Sequence, residues 1–365
     1  ILRQLGLKFR TTIQKYNKLL RTQPRVSCIL KLPMAIETFK QGILPHLKLF
    51  PAGICFTFAY GSGVFKQKGH NSVKDNMVDL IFVAENPLSW HTANIERNPK
   101  HYSFLRYMGS KAVTAVQNFG AAKIYFNTLV PVNNAVIKYG VVSRESFIED
   151  LLDWNSLYVS GRLHKPVLVL QNYDDGDIKM ALEQNLYSAL HASLLLLPES
   201  FTEERLYHTL ASLSYRGDFR MKFGEDRSKV SNIVKCQMEH FRSLYEPVIK
   251  SLDQWVDVDF LSGKAEQDVS PSAKLYHLNL LPKTLQMGML EEWSRDGKYH
   301  DLEDILRAAA YDTECGDLVN AEIEKIVNQS SWSQSIKGVL TAGIFKSIKY
   351  SAMKVSKMMK SLNKT

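Results

Sequence analysis

The sequence predicts an α+β fold: a mixed-sheet domain, then a mainly helical domain, closed by an amphipathic C-terminal helix. Three observations predict it. Short apolar or alternating runs cluster before residue 172, the apolar residues beyond it recur at helical spacing, and the last stretch sets lysines opposite an apolar stripe. With 365 residues and 45% hydrophobic content, the chain can bury more than one core. The expected division is a basic segment at 1–36, a sheet domain at 37–175, a helical domain at 176–330 and a basic tail at 331–365.

Residues 1–36 carry eight basic side chains and no acid, with Leu5, Phe9, Ile13 and Tyr16 at helical spacing. Mitochondrial targeting segments share this composition. An ordinary basic amphipathic helix is the other reading.

Runs at 54–59, 78–83, 123–130, 135–142 and 166–171 read as strands, with Asn133 and Asn134 in a hairpin turn between the third and fourth. Between the first two lies Gly61-Ser62-Gly63, where glycines permit positive φ and close approach of backbone N–H groups to an anion. A triphosphate could sit there. Asp79 interrupts the apolar second run, and a carboxylate there costs several kcal/mol unless a cation or donor compensates it. Mg²⁺ carried by a nucleotide suits that task, because it favours carboxylate and phosphate oxygens together.

Asn172–Asp177 is a polar break, and Asp177 is the expected cap of a helix through Leu182, Leu186, Leu190 and Leu194. Ser200 and Glu203 read as a capping box for 201–213, and 228–250 and 301–328 carry helical periodicity. If 338–362 is helical, Leu340, Ile344, Ile348, Ala352, Val355, Met359 and Leu362 form one stripe opposite Lys346, Lys349, Lys357 and Lys360. Such a helix suits an anionic membrane surface. No run of eighteen apolar residues exists, so a peripheral association is expected.

The formal charge of +9 resides at the two ends: between 37 and 330, 31 basic residues face 37 acidic ones. An acidic body lacks the basic groove that tracks nucleic-acid phosphates, so no nucleic acid is expected as partner. Cys28, Cys55, Cys236 and Cys315 show no zinc-like pairing and fit a reduced compartment. His70, His91 and His164 are expected as polar surface or loop residues rather than ligands.

The stretches YGSGVFKQ (60–67) and NMVDLIFV (76–83) resemble the signature of the mitochondrial phosphatidate cytidylyltransferase family, the translocator assembly and maintenance proteins of the inner membrane. So do ENPLSWHTANIERNPKHYSF (85–104), KYGVVS (138–143), DWNSLYVSGRLHKPV (153–167), SYRGDFRMKFGED (214–226), KVSNIVK (229–235), LPKTLQ (281–286) and IKGVLTAGIFKSIKYS (336–351). The resemblance implies a nucleotidyltransferase-like sheet domain and a winged-helix domain. It implies transfer of a cytidylyl group from CTP to phosphatidic acid, with Mg²⁺ as cofactor, giving CDP-diacylglycerol and pyrophosphate. That product would feed phosphatidylglycerol and cardiolipin synthesis at the matrix side of the inner membrane.

One departure matters. The wider fold places two acids at i and i+2 on one strand face, where they share a metal, but Ile81 stands two after Asp79. A second ligand would come from Asp75, Glu149, Asp150, Asp153 or Asp218. The resemblance further implies a nucleotide site from Gly61, Ser62, Gly63, Lys138, Tyr139, Asp218 and Arg220, with Tyr215 nearby. Catalytic roles fall to Asp79, Arg162 and Lys165, the last two drawing phosphate. The missing second acid leaves a non-catalytic inner-membrane assembly factor as an alternative, beside an RNA nucleotidyltransferase.

Overall fold

A computed structural model describes residues 34–65, 77–132, 135–172, 175–223, 228–294 and 301–342. The expected targeting segment up to residue 33, the Asn133–Asn134 turn, Asp75, His70 and the lysines Lys346, Lys349, Lys357 and Lys360 lie outside the described residues.

Helix α1 (Met34–Leu47) precedes five strands, β1 (Ile54–Tyr60), β2 (Val78–Ala84), β3 (Ile124–Val132), β4 (Ala135–Ser143) and β5 (Leu168–Asn172), each falling on a run that the sequence marks. They form one mixed sheet in the order β3-β4-β2-β1-β5, in which β2 and β4 are parallel and the other pairs antiparallel. A parallel pair needs a crossover. Helices α2 (Pro87–Arg97) and α3 (Gly109–Asn118) supply it, so this half is less purely strand than its sequence suggests. Asn86 caps α2 and Pro87 opens it, the position where a missing N–H costs nothing. Two further helices, α4 (Arg144–Asp153) and α5 (Ser160–Leu163), lie between β4 and β5.

Period-two alternation divides the sheet's side chains between two cores. Phe56, Phe58, Ile81, Val83 and Phe126 pack with Phe147 and Ile148 of α4 on one face. Leu80, Phe82, Tyr139 and Val141 pack with Phe50 and Trp90 on the other.

After β5 the chain is mainly helical. Helix α6 (Gly176–Leu195) gives Ile178 and Ala181 to the sheet core and Leu186, Leu190 and Leu194 to the helical core, tying the two together. Asp175, not Asp177, caps it, accepting from the N–H groups of Asp177 and Ile178. Strand β6 (Ser200–Thr202) precedes α7 (Glu203–Ser212), and Thr202 is the cap. The expected Ser200–Glu203 box does not form, because the Glu203 carboxylate is taken by Tyr207 and Arg242.

The short α8 (Arg220–Phe223) and long α9 (Lys229–Lys250) follow, then β7 (Val256–Asp259) and β8 (Lys264–Gln267), which with β6 make a sheet of order β6-β8-β7. Helices α10 (Pro271–Asn279), α11 (Lys283–Trp293), α12 (Leu302–Tyr311) and α13 (Cys315–Ala342) complete the described chain. The periodicity at 301–328 thus belongs to two helices, the first capped at its end by Asp312. No described helix is long and apolar enough to cross a membrane. His91 and His164 are buried and hydrogen-bonded, contrary to the expected surface position. Of the described cysteines, Cys55, Cys236 and Cys315 are free.

Candidate active site

The register of β1, β2 and β4 puts Tyr60, Asp79 and Lys138 in one row across three strands. Cross-strand neighbours share a face, and this row continues the face that carries Phe58 and Ile81. The Lys138 ammonium stands 3.5 Å from Asp79 Oδ1 and 4.6 Å from the centre of the Phe126 ring. Lys138 is therefore the described cation that compensates the strand carboxylate.

Above this row sits the Gly61–Gly63 turn. Gly61 has φ +80° and lies against the Asp79 carboxylate, and the N–H groups of Val64 and Phe65 both close on its carbonyl. A side chain at Gly63 would collide with the Met77 carbonyl. Both glycines are thus needed for the turn to press on the start of β2.

From the neighbouring segment comes Arg162. Its guanidinium lies 3.9 Å from the Tyr158 ring centre and 5.3 Å from that of Tyr60, donates to the Tyr158 carbonyl, and leaves a buried Nε without a partner. One turn on, Lys165 donates to the Gly161 carbonyl and to Ser214 Oγ at 2.9 Å, with the Tyr215 ring 5.0 Å away. Lys229 approaches the same ring at 5.1 Å. Burial, then the charges of Arg162 and Lys229, push the Lys165 ammonium well below its ordinary pKa. Among the described residues neither Arg162 nor Lys165 has a carboxylate partner. Unpaired cations in a partly buried site are costly unless an anion joins them.

Arg220 adds a third charge. Asp218, almost fully buried, accepts from its Nε and Nη2 at 2.9 and 2.6 Å, so this acid orients an arginine. Tyr158 senses the whole set. Burial alone would raise its phenol, but Arg162, Arg220 and Lys138 outweigh that and bring it down to about 8.

The local sequence explains why these groups meet. Asp150, at the end of α4, accepts hydrogen bonds from the backbone N–H of Ser156, Leu157, Val159 and Ser160 and from both serine hydroxyls, at 2.7–3.1 Å. It folds the loop that launches α5, with Trp154 and Leu157 at positive φ. Asn185 of α6 holds the same loop through Trp154, His164 and the Ser160 carbonyl. Gly161 has no room for a side chain against Ser214, and that close approach brings Lys165 to the 214–215 turn.

Not every expected residue arrives here. Tyr139 points to the opposite face, fully buried, where Asn94 and His101 bond its hydroxyl. Glu149 is paired with Lys123, and Asp150 is consumed by its loop. Tyr60, Tyr158, Ser214 and Lys229 are site or supporting residues that the sequence reading does not single out, and Asp150, expected there as a candidate metal ligand, serves the loop instead. Those four fall within the family-like stretches, which is the signal that could have found them.

Among the described residues no three His, Cys, Asp or Glu side chains converge to cage a metal. A single partly exposed carboxylate beside a glycine turn still fits Mg²⁺, which commonly takes one or two carboxylates and completes its shell with phosphate and water. A cavity of about 580 Å³ lies elsewhere, at the start of β1, lined by Glu85, Asp175 and Asp177. Its acids would repel phosphates.

A strand carboxylate, a glycine turn and cations without a carboxylate partner among the described residues thus come together where a mixed sheet meets a helical half. A family model described as phosphatidate cytidylyltransferase, mitochondrial, matches residues 44–357. The chain is 48% identical over 320 residues to the mitochondrial phosphatidate cytidylyltransferase of Xenopus laevis, covering 87% of this chain and 94% of that protein. It is 48% identical over 311 residues to that of Danio rerio, covering 85% and 92%, and 43% identical over 314 residues to that of Homo sapiens, covering 85% and 69%. The chain belongs to this family.

Proposed function

We propose that the chain catalyses the reaction its family is named for, transferring the cytidylyl group of CTP to the phosphate of phosphatidic acid and releasing pyrophosphate. The observation that carries this reading is the pair Arg162 and Lys165, partly buried, carboxylate-free and adjacent to the Asp79 row. In the reaction a lipid phosphate oxygen bonds to the α-phosphorus of CTP as the bond to the β-phosphate oxygen breaks, and the electron pair leaves on pyrophosphate.

The attacking phosphate is already an anion, so catalysis depends on positioning and on neutralising charge more than on a strong base. Lys138 sits beside Asp79 and draws the triphosphate towards it. The Gly61–Gly63 turn, with Ser62, cradles the same phosphates. Arg162, Lys165 and Arg220 bring the lipid phosphate alongside and hold the leaving pyrophosphate, and Asp218 fixes the Arg220 fork. Asp79 would hold Mg²⁺, which when bound neutralises phosphate charge. The helices α7 and α9 with the β6-β8-β7 sheet support a winged-helix reading of the helical half, and the Asp79 strand and glycine turn support a nucleotidyltransferase-like sheet half.

The same reading places the protein peripherally at the matrix side of the mitochondrial inner membrane, held by the lysine-rich tail and feeding phosphatidylglycerol and cardiolipin synthesis. The relatives' names support the organelle and the lipid product. The test is incubation with cytidine-labelled CTP, phosphatidic acid and Mg²⁺. Label should pass into a chloroform-soluble product, and Arg162→Met and Lys165→Met should each reduce it. No label in lipid from the unaltered chain would contradict the proposal.

A further inference from the structure

The last turns of α13 are amphipathic the wrong way round. Trp332, Ile336, Val339 and Leu340 fall at helical spacing on one stripe and are 40–54% exposed. The opposite face, Ser331, Gln334, Lys337 and Thr341, is polar and no more than 6% exposed. Gln334 reaches the Ile124 carbonyl, and Lys337 donates to the Gln117 carbonyl at the end of α3. A surface helix normally buries its apolar face, so this reversed orientation, in which among the described residues only Trp332 has a ring partner, Phe219 at 4.2 Å, leaves an apolar stripe open to a second apolar phase.

A second exposed apolar group flanks the stripe. In the short turn before α3, Phe104, Tyr107 and Met108 are 53–79% exposed. The two groups lie on the same flank, because Ser103 donates to the Leu340 carbonyl at 3.0 Å and Gly120 packs against Ser333.

Charge selects the occupant. Both contributing segments, 97–144 and 325–342, contain no Asp or Glu, while Lys100 and Lys111 are exposed beside the aromatic turn. A second copy would bring the same cationic surface, and the chain's own residues 343–365 would bring six more lysines. Like charges oppose both. An anionic bilayer complements the face, with apolar side chains among acyl chains and lysines at headgroups.

We infer that the stripe Trp332–Leu340 and the turn Phe104–Met108 form a lipid-bilayer docking face built into the folded body, independent of the tail lysines. This rests on the proposed function for one point, that the lipid substrate comes from that bilayer. The face then sets the orientation in which the site meets its substrate.

The test uses the full chain and vesicles of phosphatidylcholine with about 30 mol% phosphatidylglycerol. Ile336→Asp with Val339→Asp, and separately Tyr107→Asp with Met108→Asp, should each weaken vesicle binding about tenfold or more. The fully exposed Leu261, in the β7–β8 turn, is the control: Leu261→Asp should not weaken binding. Thermal melts check that each variant folds, and brominated acyl chains should quench Trp332 emission, read as the difference from Trp332→Phe. Binding within about twofold of the unaltered chain for both pairs, or an equal loss in Leu261→Asp, would overturn the inference. Turnover of the unaltered chain with detergent-dispersed phosphatidic acid reports separately on the proposed function.

Discussion

Asp79 and Lys138 are direct partners in the parallel β2–β4 ladder, and their charged atoms stand 3.5 Å apart. A strand carboxylate and a cation in register form a pair that a triphosphate can enter, with Lys138 turning from the acid to phosphate. Lys138→Met should leave the apolar stem over Phe126 and the fold intact, and lower kcat/KM for CTP about 100-fold or more. Steady-state kinetics at saturating phosphatidic acid check this.

The depressed ammonium of Lys165 has a consequence for pH. Burial and the neighbouring charges of Arg162 and Lys229 favour its neutral form in the empty site. An arriving phosphate anion favours the charged form, so binding takes up a proton and affinity falls as pH rises. Titration calorimetry with pyrophosphate in buffers of different ionisation heat should show the uptake. Lys165→Met should abolish it.

Asp150 touches no phosphate in this account, yet it accepts six hydrogen bonds from the loop before Arg162. Removing the carboxylate strands buried donors. Asp150→Ala should cost about 3 kcal/mol or more in urea melts. Where it still folds, it should weaken pyrophosphate binding along with Arg162→Met.

Buried histidines make the fold acid-sensitive. Burial holds His91 and His277 down to about 4 and His164 down to about 3. Their unfolded pKa is near 6.5, so between there and about 4 the unfolded chain holds more protons. Stability is present above pH 6.5 and is lost as pH falls, at about 1.4 kcal/mol per unit for each histidine. Urea midpoints at pH 7 and pH 5 should show the fall, and His277→Phe should reduce its slope.

The strands were legible because alternation and apolar runs have few other readings, and Asp79 stood out as the lone acid in one of them. Strand parity could also have separated Lys138 from Tyr139, since adjacent residues point to opposite faces. Asp150 was named as a candidate metal ligand, but its part in folding the loop was not legible. A carboxylate that folds a loop ten residues ahead leaves no periodic trace, and its value comes from where the backbone donors turn. His91 and His164 misled for a related reason: their burial depends on Gln117, Tyr102 and Asn185, which only the tertiary fold brings near. The helix break at 312–314 was hidden because α12 and α13 both present apolar faces to one core.

The most direct test replaces one oxygen. Asp79→Asn keeps the shape of the strand row but removes the charge that Lys138 and a nucleotide-borne cation would meet. With thermal melting unchanged, formation of CDP-diacylglycerol from labelled CTP should fall about 1,000-fold or more. Turnover close to that of the unaltered chain would contradict the assignment of Asp79, and with it the site proposed here.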